Sequence, residues 1–219
     1  MTGRMCLDLY LVTDNRLTAG RPLESIVEEA VRAGVTLVQY RDKDADDGAF
    51  ADKAIKIIEI CHNYGVPVLL NDRAHLVTAL GADGVHLGQD DLPVREARTL
   101  VPPGAIVGVS VRDTAQAKAA QCDGADYAAV SGVFPTGTKA DVGEVLGLRG
   151  VSDICRAVSL PVVAIGGITA ANAAQVVRAG ARGVAVVTAI TLAPKVDAAV
   201  KCLLAAVAAG RAARASDAV

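Results

Sequence analysis

The chain has 219 residues, a length that fits one large domain or two small ones. Hydrophobic residues make up 52% and charged residues 21%, which allows a sizeable core and excludes global disorder. A net charge of −2 and an aromatic content of 3% exclude the basic footprint and the stacking platforms that nucleic-acid binding requires.

The apolar stretches are short and are interrupted by glycine or charge, so we expect no membrane span. The first residues also lack the pattern of a secretory signal. Five widely separated cysteines without a CxxC pair predict buried thiols rather than a disulfide framework or a zinc site. We therefore expect a cytoplasmic protein whose partners are neither nucleic acid nor membrane.

Short apolar, β-branched segments alternate with helical patterns along the chain. The segments are apolar throughout, which is typical of parallel strands that are buried on both faces. Strands are predicted at residues 9–13, 35–40, 66–70, 84–87, 105–109, 127–130, 162–165 and 184–187. Apolar residues at helical spacing lie between some of them and near the C-terminus, at residues 23–31, 50–61 and 196–207.

The number of strand–helix units predicts the architecture. Eight strands in 219 residues leave roughly 27 residues for each unit, which matches a compact (β/α)8 barrel. A doubly wound sheet is the alternative, but the first strand ends in Thr13-Asp14-Asn15 and lacks the GxGxxG turn of that fold. We predict one TIM-barrel domain over residues 1–219, with a frayed tail at about 211–219.

In such a barrel, reactive residues lie where the strands end and in the loops that follow. After the second strand, period-2 alternation directs Gln39, Arg41 and Lys43 to one side. An amide and two cations at the barrel mouth suit an anionic ligand, because arginine offers a fork and lysine a point charge. A solvated loop is the alternative.

Carboxylates follow the third and fourth strands. Asn71 and Asp72 end one apolar run, and Asp91 comes shortly after the next. Mg²⁺ commonly takes one or two carboxylates together with substrate phosphates and water, so the pair favours a metal–diphosphate site. The alternative is that each aspartate caps a helix. His86 on the fourth strand is expected to be a satisfied barrel residue.

The loop after the sixth strand, residues 131–141, is long for a compact barrel. Its glycine and proline content predicts a lid that orders over a substrate, and Thr136, Thr138 and Lys139 suit phosphate contacts. Ordinary loop polarity is the alternative.

The seventh and eighth strands lead into turns that suit a monophosphate. Gly166-Gly167 precedes a helix for which Thr169 is the expected cap, and Val187-Thr188 follows the last strand. A tight turn without a ligand is the alternative. Two anion sites at one mouth suggest a diphosphate leaving group and a phosphorylated acceptor.

Seven windows now carry a resemblance to a known family. They are YLVTD at 10–14, VQYRDK at 38–43, LNDR at 70–73, GVHLGQDD at 84–91, GVS at 108–110, FPTGTK at 134–139 and AIGGI at 164–168. In this order they resemble the thiamine-phosphate synthase family over residues 9–190. The resemblance implies a (β/α)8 barrel that joins hydroxymethylpyrimidine diphosphate to thiazole phosphate, or to its carboxylate, and releases pyrophosphate.

The same resemblance implies residue roles and a homodimer. Asp72 and Asp91 are expected to coordinate Mg²⁺, and Gln39 is expected to contact the pyrimidine. The expected diphosphate contacts are Arg41, Lys43, Asn71, Ser110 and Lys139. All of them except Asn71 are also expected to be catalytic. The thiazole phosphate contacts are Thr136, Thr138, Gly167, Val187 and Thr188. Two positions depart from the family pattern, Tyr40 for leucine and Thr188 for serine, and Tyr40 is expected to point away from Gln39 and Arg41.

Two alternative functions remain. A thiazole tautomerase would need an acid–base group but no diphosphate site, and a non-catalytic phosphate-binding barrel would keep Gly166-Gly167 without the metal carboxylates. The synthase reaction itself is expected to run dissociatively, because an aminopyrimidine delocalises the cation left when diphosphate departs. It then needs stabilisation of the leaving group, exclusion of water and no nucleophilic side chain.

Overall fold

A closed barrel of eight parallel strands forms the centre of the molecule, and each strand pairs with its neighbours in sequence. The structure is a computed structural model that describes residues 5–137 and 145–217. The strands are β1 Leu9–Val12, β2 Leu37–Tyr40, β3 Val68–Asn71, β4 Gly84–Leu87, β5 Ile106–Val111, β6 Tyr127–Ser131, β7 Val162–Ile165 and β8 Gly183–Val186. The predicted (β/α)8 barrel is confirmed, with strand ends that shift by one or two residues.

Helices follow the strands and cover the outside of the barrel. They are α1 Leu23–Ala33, α2 Asp47–Asn63, α3 Val77–Leu80, α4 Val94–Leu100, α5 Thr114–Cys122, α6 Gly147–Ala157, α7 Ala173–Arg178, α8 Thr188–Thr191 and α9 Val196–Asp217. A 3-10 turn at Ala74–Leu76 precedes α3. The apolar positions predicted at helical spacing in α1 are all buried, because that face of the helix packs on the strands.

The last helix is longer than the sequence suggests. The expectation of a frayed tail from about Arg211 is wrong for residues 211–217, since α9 continues to Asp217. Arg211 bonds the Asp8 carboxylate and donates to the Arg182 carbonyl at 2.7 Å. Arg178 Nε holds Asp217 at 2.7 Å. Ion pairs to α7 and to the start of β1 therefore fix the end of the helix.

Two apolar layers make up the core. The larger lies between strands and helices, and the smaller fills the barrel with side chains that alternate along each strand. Tyr10 and Tyr127 are the largest members of the inner layer. At Gly108 a Cβ atom would come within 2.0 Å of the Tyr127 ring, so this glycine makes room for the tyrosine inside the barrel.

The cysteines differ in part from expectation. All five are unpaired, but Cys6, Cys122 and Cys202 are exposed, so the prediction of buried thiols is wrong for these three. Cys61 is buried, and burial raises the pKa of its thiol. In the described ranges, no helix combines the length and apolarity that crossing a bilayer demands.

We predict that Gly108→Ala destabilises the protein by about 1–3 kcal/mol, because the new methyl group overlaps the Tyr127 ring. The measurement is the free energy of unfolding in urea. Gly48→Ala is the matched control, since a Cβ there meets only Asp46 Oδ1 at 3.5 Å within helix α2. Equal unfolding free energies for Gly108→Ala and the wild type would contradict the prediction.

Candidate active site

A buried carboxylate at the end of β1 positions the first cation of the mouth. Arg41 Nη1 lies 2.8 Å from Asp14 Oδ2, and the Arg41 backbone N–H donates to Thr13 Oγ1 at 3.0 Å. Asp14 is only 3% exposed. Burial opposes its ionisation, but hydrogen bonds from Arg16 and the charge of Arg41 hold the pKa of Asp14 below its usual value. Arg41 is therefore fixed by an ionised partner.

Two carboxyl groups meet at the ends of β3 and β4. Asp72 and Asp91 lie close enough to interact, and Lys43 Nζ lies 3.3 Å from Asp72 Oδ2. Burial raises the pKa of Asp72 to about 6, and the adjacent Asp91 adds to the rise. The Gly88 N–H donates to Asp91 Oδ2 at 2.7 Å and supports its ionised form. Asp72 is therefore the member of the pair that binds a proton more readily.

The helix-cap interpretation of these two aspartates is wrong. Arg73 precedes the 3-10 turn and Pro93 precedes α4 at the cap positions. Asp72 instead adopts a left-handed backbone with a φ of 63°, and its N–H donates to the His86 carbonyl at 2.9 Å. A non-glycine residue in this region is uncommon and marks a backbone that is held for a purpose other than helix initiation.

Asn71 precedes this pair and is 5% exposed. Its Nδ2 atom is buried and has no hydrogen-bond partner among the residues that the structure describes. An unsatisfied buried donor costs about 1–3 kcal/mol, which a ligand oxygen would recover. The amide is therefore suited to an anion at the mouth.

A chain of hydrogen bonds crosses the barrel interior beneath the mouth. Gln39 Nε2 donates to Tyr10 Oη at 2.5 Å, and Tyr10 Oη lies 3.0 Å from Tyr127 Oη. His86 Nδ1 lies 2.7 Å from Tyr127 Oη, and His86 Nε2 lies 3.0 Å from Ser110 Oγ. We call these five residues the interior chain. It joins the residue predicted to contact the pyrimidine, Gln39, to one predicted to contact the diphosphate, Ser110.

The sequence does not predict the contacts that four side chains of the site make. His86 is a satisfied barrel residue, as expected, but its link to Ser110 was not foreseen. Tyr10 lies in the first window of the family resemblance but has no role predicted there, and Tyr127 is predicted only as part of an apolar strand. Asp14, the partner of Arg41, was read only as the end of β1. Period-2 geometry places Tyr10 on the same face of β1 as Val12, but both faces of the strand are apolar, so the sequence carries no local signal for which face points inward.

Glycines bring the loops after β6 and β7 together. Gly166 and Gly167 have φ values of 111° and 62°, and a Cβ atom on Gly167 would lie 2.4 Å from the Pro135 carbonyl oxygen. The Phe134 N–H donates to the Gly166 carbonyl at 3.0 Å. The glycine pair thus has a packing role as well as the phosphate role predicted for Gly167.

The expected helix cap at Thr169 is wrong. The Thr169 N–H donates to Asn172 Oδ1 at 2.8 Å, and α7 begins only at Ala173. After β8, Val187 and Thr188 are half-buried, and Thr188 opens the short helix α8.

Of the remaining predicted site residues, some lie within the described part of the chain and others lie outside it. Thr136 is half-buried in the loop after β6. Thr138 and Lys139, together with the rest of 138–144, lie outside the described residues, so their phosphate contacts and the lid remain predictions. Tyr40 packs against Phe50 on the helix side, with ring centroids 4.6 Å apart, which confirms that it points away from Gln39.

The fold is that of a (β/α)8-barrel enzyme, with cationic and carboxylate side chains gathered at the mouth of the barrel. A family model described as thiamine monophosphate synthase matches residues 9–190. A thiamine-phosphate synthase of Azorhizobium caulinodans is 45% identical over 90% of this chain and 93% of its own length. One from Methanoculleus marisnigri is 46% identical over 95% of this chain and 99% of its own length.

A solved structure supports the same assignment. The thiamine phosphate pyrophosphorylase from Pyrococcus furiosus superposes with a TM-score of 0.86 at 35% identity, covering 94% of this chain and 98% of that one. The chain belongs to the thiamine monophosphate synthase family and is a transferase of thiamine biosynthesis.

The free energy of unfolding of the wild type should fall as the pH rises because Asp72 loses its proton. We predict that Asp72→Asn abolishes this part of the pH dependence. A carboxyl group with a folded pKa of about 6 stabilises the fold fully below its unfolded pKa of about 3.9, and this contribution disappears as the pH rises through 6. In metal-free buffer, the variant should gain about 1 kcal/mol on the wild type between pH 4.5 and 7.5, a value reduced for solvent screening.

Urea unfolding at several pH values measures this difference. Asparagine tolerates the left-handed backbone at position 72, so the substitution adds little strain. Asp52→Asn on the exposed side of α2 is the control and should keep a constant difference from the wild type. Parallel pH profiles for Asp72→Asn and the wild type would refute the prediction.

Proposed function

We propose that the mouth joins hydroxymethylpyrimidine diphosphate to thiazole phosphate, or to its carboxylate, and releases pyrophosphate and thiamine phosphate. The observation that carries the proposal is the contact between Asp72 and Asp91 beside Lys43, in a chain whose relatives are named thiamine-phosphate synthases. Such a pair with an adjacent cation suits a metal–diphosphate complex and has no evident use in a phosphate site alone.

The donor set fits Mg²⁺. The two carboxylates are hard oxygen ligands of the kind that Mg²⁺ prefers. Burial and the neighbouring Asp91 raise the pKa of Asp72, and a bound divalent cation would favour ionisation of both groups. Within residues 5–137 and 145–217, no cluster of three or more metal-ligating side chains is present. This agrees with a cation that completes its coordination with phosphate oxygens and water. When bound, Mg²⁺ would neutralise charge that develops on the departing diphosphate.

The chain's own groups would hold the diphosphate on the other sides. Arg41, kept in place by Asp14, presents a guanidinium group to the mouth. Lys43 adds an exposed ammonium group, and Asn71 an unpaired amide N–H. Ser110 and Lys139 complete the predicted contacts. Fixed donors of this kind stabilise developing negative charge without reorganisation during the reaction.

The reaction then requires positioning rather than a nucleophilic side chain. The bond between the pyrimidine methylene carbon and the diphosphate oxygen breaks, and its electron pair leaves with the diphosphate. The thiazole nitrogen supplies the pair for the new carbon–nitrogen bond. Residues at the mouth would hold the two substrates together and exclude water, which would otherwise trap the cation.

The thiazole phosphate would lie across the mouth, at the turns after β7 and β8. Gly167, Val187 and Thr188 are the residues proposed there, with Thr136 and Thr138 facing the thiazole. The tautomerase alternative is disfavoured, because its chemistry uses no diphosphate site. Assay of the purified protein with both substrates, with and without Mg²⁺, tests the whole proposal, and thiamine phosphate formed only with Mg²⁺ is the expected result.

We predict that Asp72→Asn and Asp91→Asn each abolish Mg²⁺-dependent synthesis while the fold and the thiazole phosphate site persist. Loss of a metal ligand removes several kcal/mol of transition-state stabilisation. Turnover, thermal melting and thiazole phosphate binding are measured for each variant. A second readout is the Mg²⁺-dependent rise in melting temperature with inorganic pyrophosphate, which both variants should lose.

Asp90→Asn is the matched control, because Asp90 is exposed in the same loop as Asp91. It should keep both turnover and the Mg²⁺-dependent shift. Near-normal turnover in Asp72→Asn or Asp91→Asn would remove that residue from the proposed metal site, whereas a collapsed melting temperature would indicate a structural role.

We predict that Thr188→Val raises the Michaelis constant for thiazole phosphate. A hydrogen bond to a charged phosphate contributes about 1.5–3 kcal/mol, and backbone donors of the turn would limit the loss to the lower end. Thr191→Val is the control, because Thr191 lies in the same short helix but its hydroxyl is buried without a partner. An unchanged Michaelis constant for Thr188→Val would show that its hydroxyl does not reach the phosphate.

A further inference from the structure

We propose that the interior chain runs in one direction, from the Gln39 amide to the Ser110 hydroxyl. In this arrangement Tyr127 and His86 are positioning residues that aim the Ser110 hydrogen at the mouth. The identity of the anion that receives this hydrogen rests on the proposed function, but the direction of the chain does not.

The direction begins at Gln39. Its Nε2 group is a donor only, and it donates to Tyr10 Oη at 2.5 Å. Burial raises the pKa of Tyr10 and of Tyr127 well above the usual value, so each tyrosine is neutral and carries one hydroxyl hydrogen. Tyr10 receives a hydrogen from Gln39 and has its own to pass on. Either hydroxyl could donate in this pair, and we assign Tyr127 Oη, at 3.0 Å, as the acceptor of that hydrogen.

The two hydroxyl groups then determine the tautomer of His86. Tyr127 accepts from Tyr10, so its own hydrogen goes to His86 Nδ1 at 2.7 Å. A neutral imidazole that accepts at Nδ1 carries its hydrogen on Nε2. Nε2 lies 3.0 Å from Ser110 Oγ and therefore donates to it.

The end of the chain faces the mouth. Ser110 Oγ accepts from His86, which leaves the Ser110 hydrogen for a further acceptor. Gln89 Nε2 donates to the Ser110 carbonyl at 2.6 Å and fixes the backbone at this position. In the opposite direction, Ser110 would donate to His86 and would present only lone pairs to an incoming anion. Only the direction from Gln39 makes Ser110 a donor to the diphosphate.

Packing holds the chain in a single arrangement. The His86 and Tyr127 rings stack with centroids 5.7 Å apart at 27°, and Tyr10 meets Tyr127 edge-on at 6.0 Å. Gly108 admits the Tyr127 ring. The four members other than Ser110 are at most 6% exposed, and hydrogen bonds in such surroundings polarise one another.

The direction also links the two ends of one substrate. When Gln39 Nε2 is committed to Tyr10, its Oε1 atom remains as an acceptor. A pyrimidine that donates a hydrogen to Oε1 therefore favours the amide orientation that sends the Ser110 hydrogen toward the diphosphate. Recognition of the ring and stabilisation of the leaving group would reinforce each other through the barrel interior.

The first experiment reads the His86 tautomer by ¹⁵N NMR of the full-length protein without substrates. The chain has three histidines, and the double variant His62→Gln/His75→Gln retains only His86. We expect an unprotonated Nδ1 and a protonated Nε2. Tyr127→Phe should abolish this preference, and Tyr40→Phe, on the helix side of β2, should retain it. A protonated Nδ1 in the unsubstituted network would overturn the proposal.

The second experiment is a double-mutant cycle on turnover with Tyr127→Phe and Ser110→Ala. Tyr127→Phe should lower kcat about tenfold with little change in the KM for the diphosphate substrate. In the Ser110→Ala background the same substitution should have no further effect, because its influence passes through Ser110. Tyr40→Phe should leave kcat unchanged. Additive losses would overturn the positioning role of Tyr127.

The two experiments separate this inference from the proposed function. Absence of thiamine phosphate synthesis by the wild type would refute the function, while the NMR spectra would still decide the direction of the chain. A correct tautomer with an additive cycle would refute the role of the chain in catalysis and leave the synthase activity intact.

Discussion

The contact between Asp72 and Asp91 is the constraint around which the mouth is built. Partial burial raises the pKa of Asp72, and the adjacent Asp91 adds to the rise, so ionising both groups has an electrostatic cost. A left-handed backbone at Asp72 and a glycine at position 88 keep the two groups in contact. The protein therefore holds two carboxyl groups together at a cost that a bound cation would reduce, and Lys43 already lies 3.3 Å from one of them.

Much of the fold and part of the site could be predicted from sequence, for a physical reason. Strands buried on both faces are apolar throughout, so they stand out clearly against amphipathic helices such as α1. Polar residues that end such strands are conspicuous, which is why the sequence indicates Arg41, Asp72 and Asp91 as candidates.

The same property hides the interior chain. A strand that is apolar on both faces carries no alternation, so the inward direction of Tyr10 and Tyr127 could not be read locally. Their partners come from β1, β2, β4, β5 and β6, which only ring closure brings together. The end of α9 was missed for a related reason: the last residues of a chain commonly fray, whereas ion pairs to distant residues hold this helix.

The ion pair between Asp8 and Arg211 has a consequence for folding of the chain during its synthesis. These residues are 203 positions apart and join the strand that opens the ring to the helix that follows its last strand. A nascent chain that lacks β8 and α9 leaves both edges of the sheet unpaired, and exposed edges invite association with other chains. The seam between β1 and β8 is thus the last to be closed during synthesis, and the Asp8–Arg211 pair fastens it.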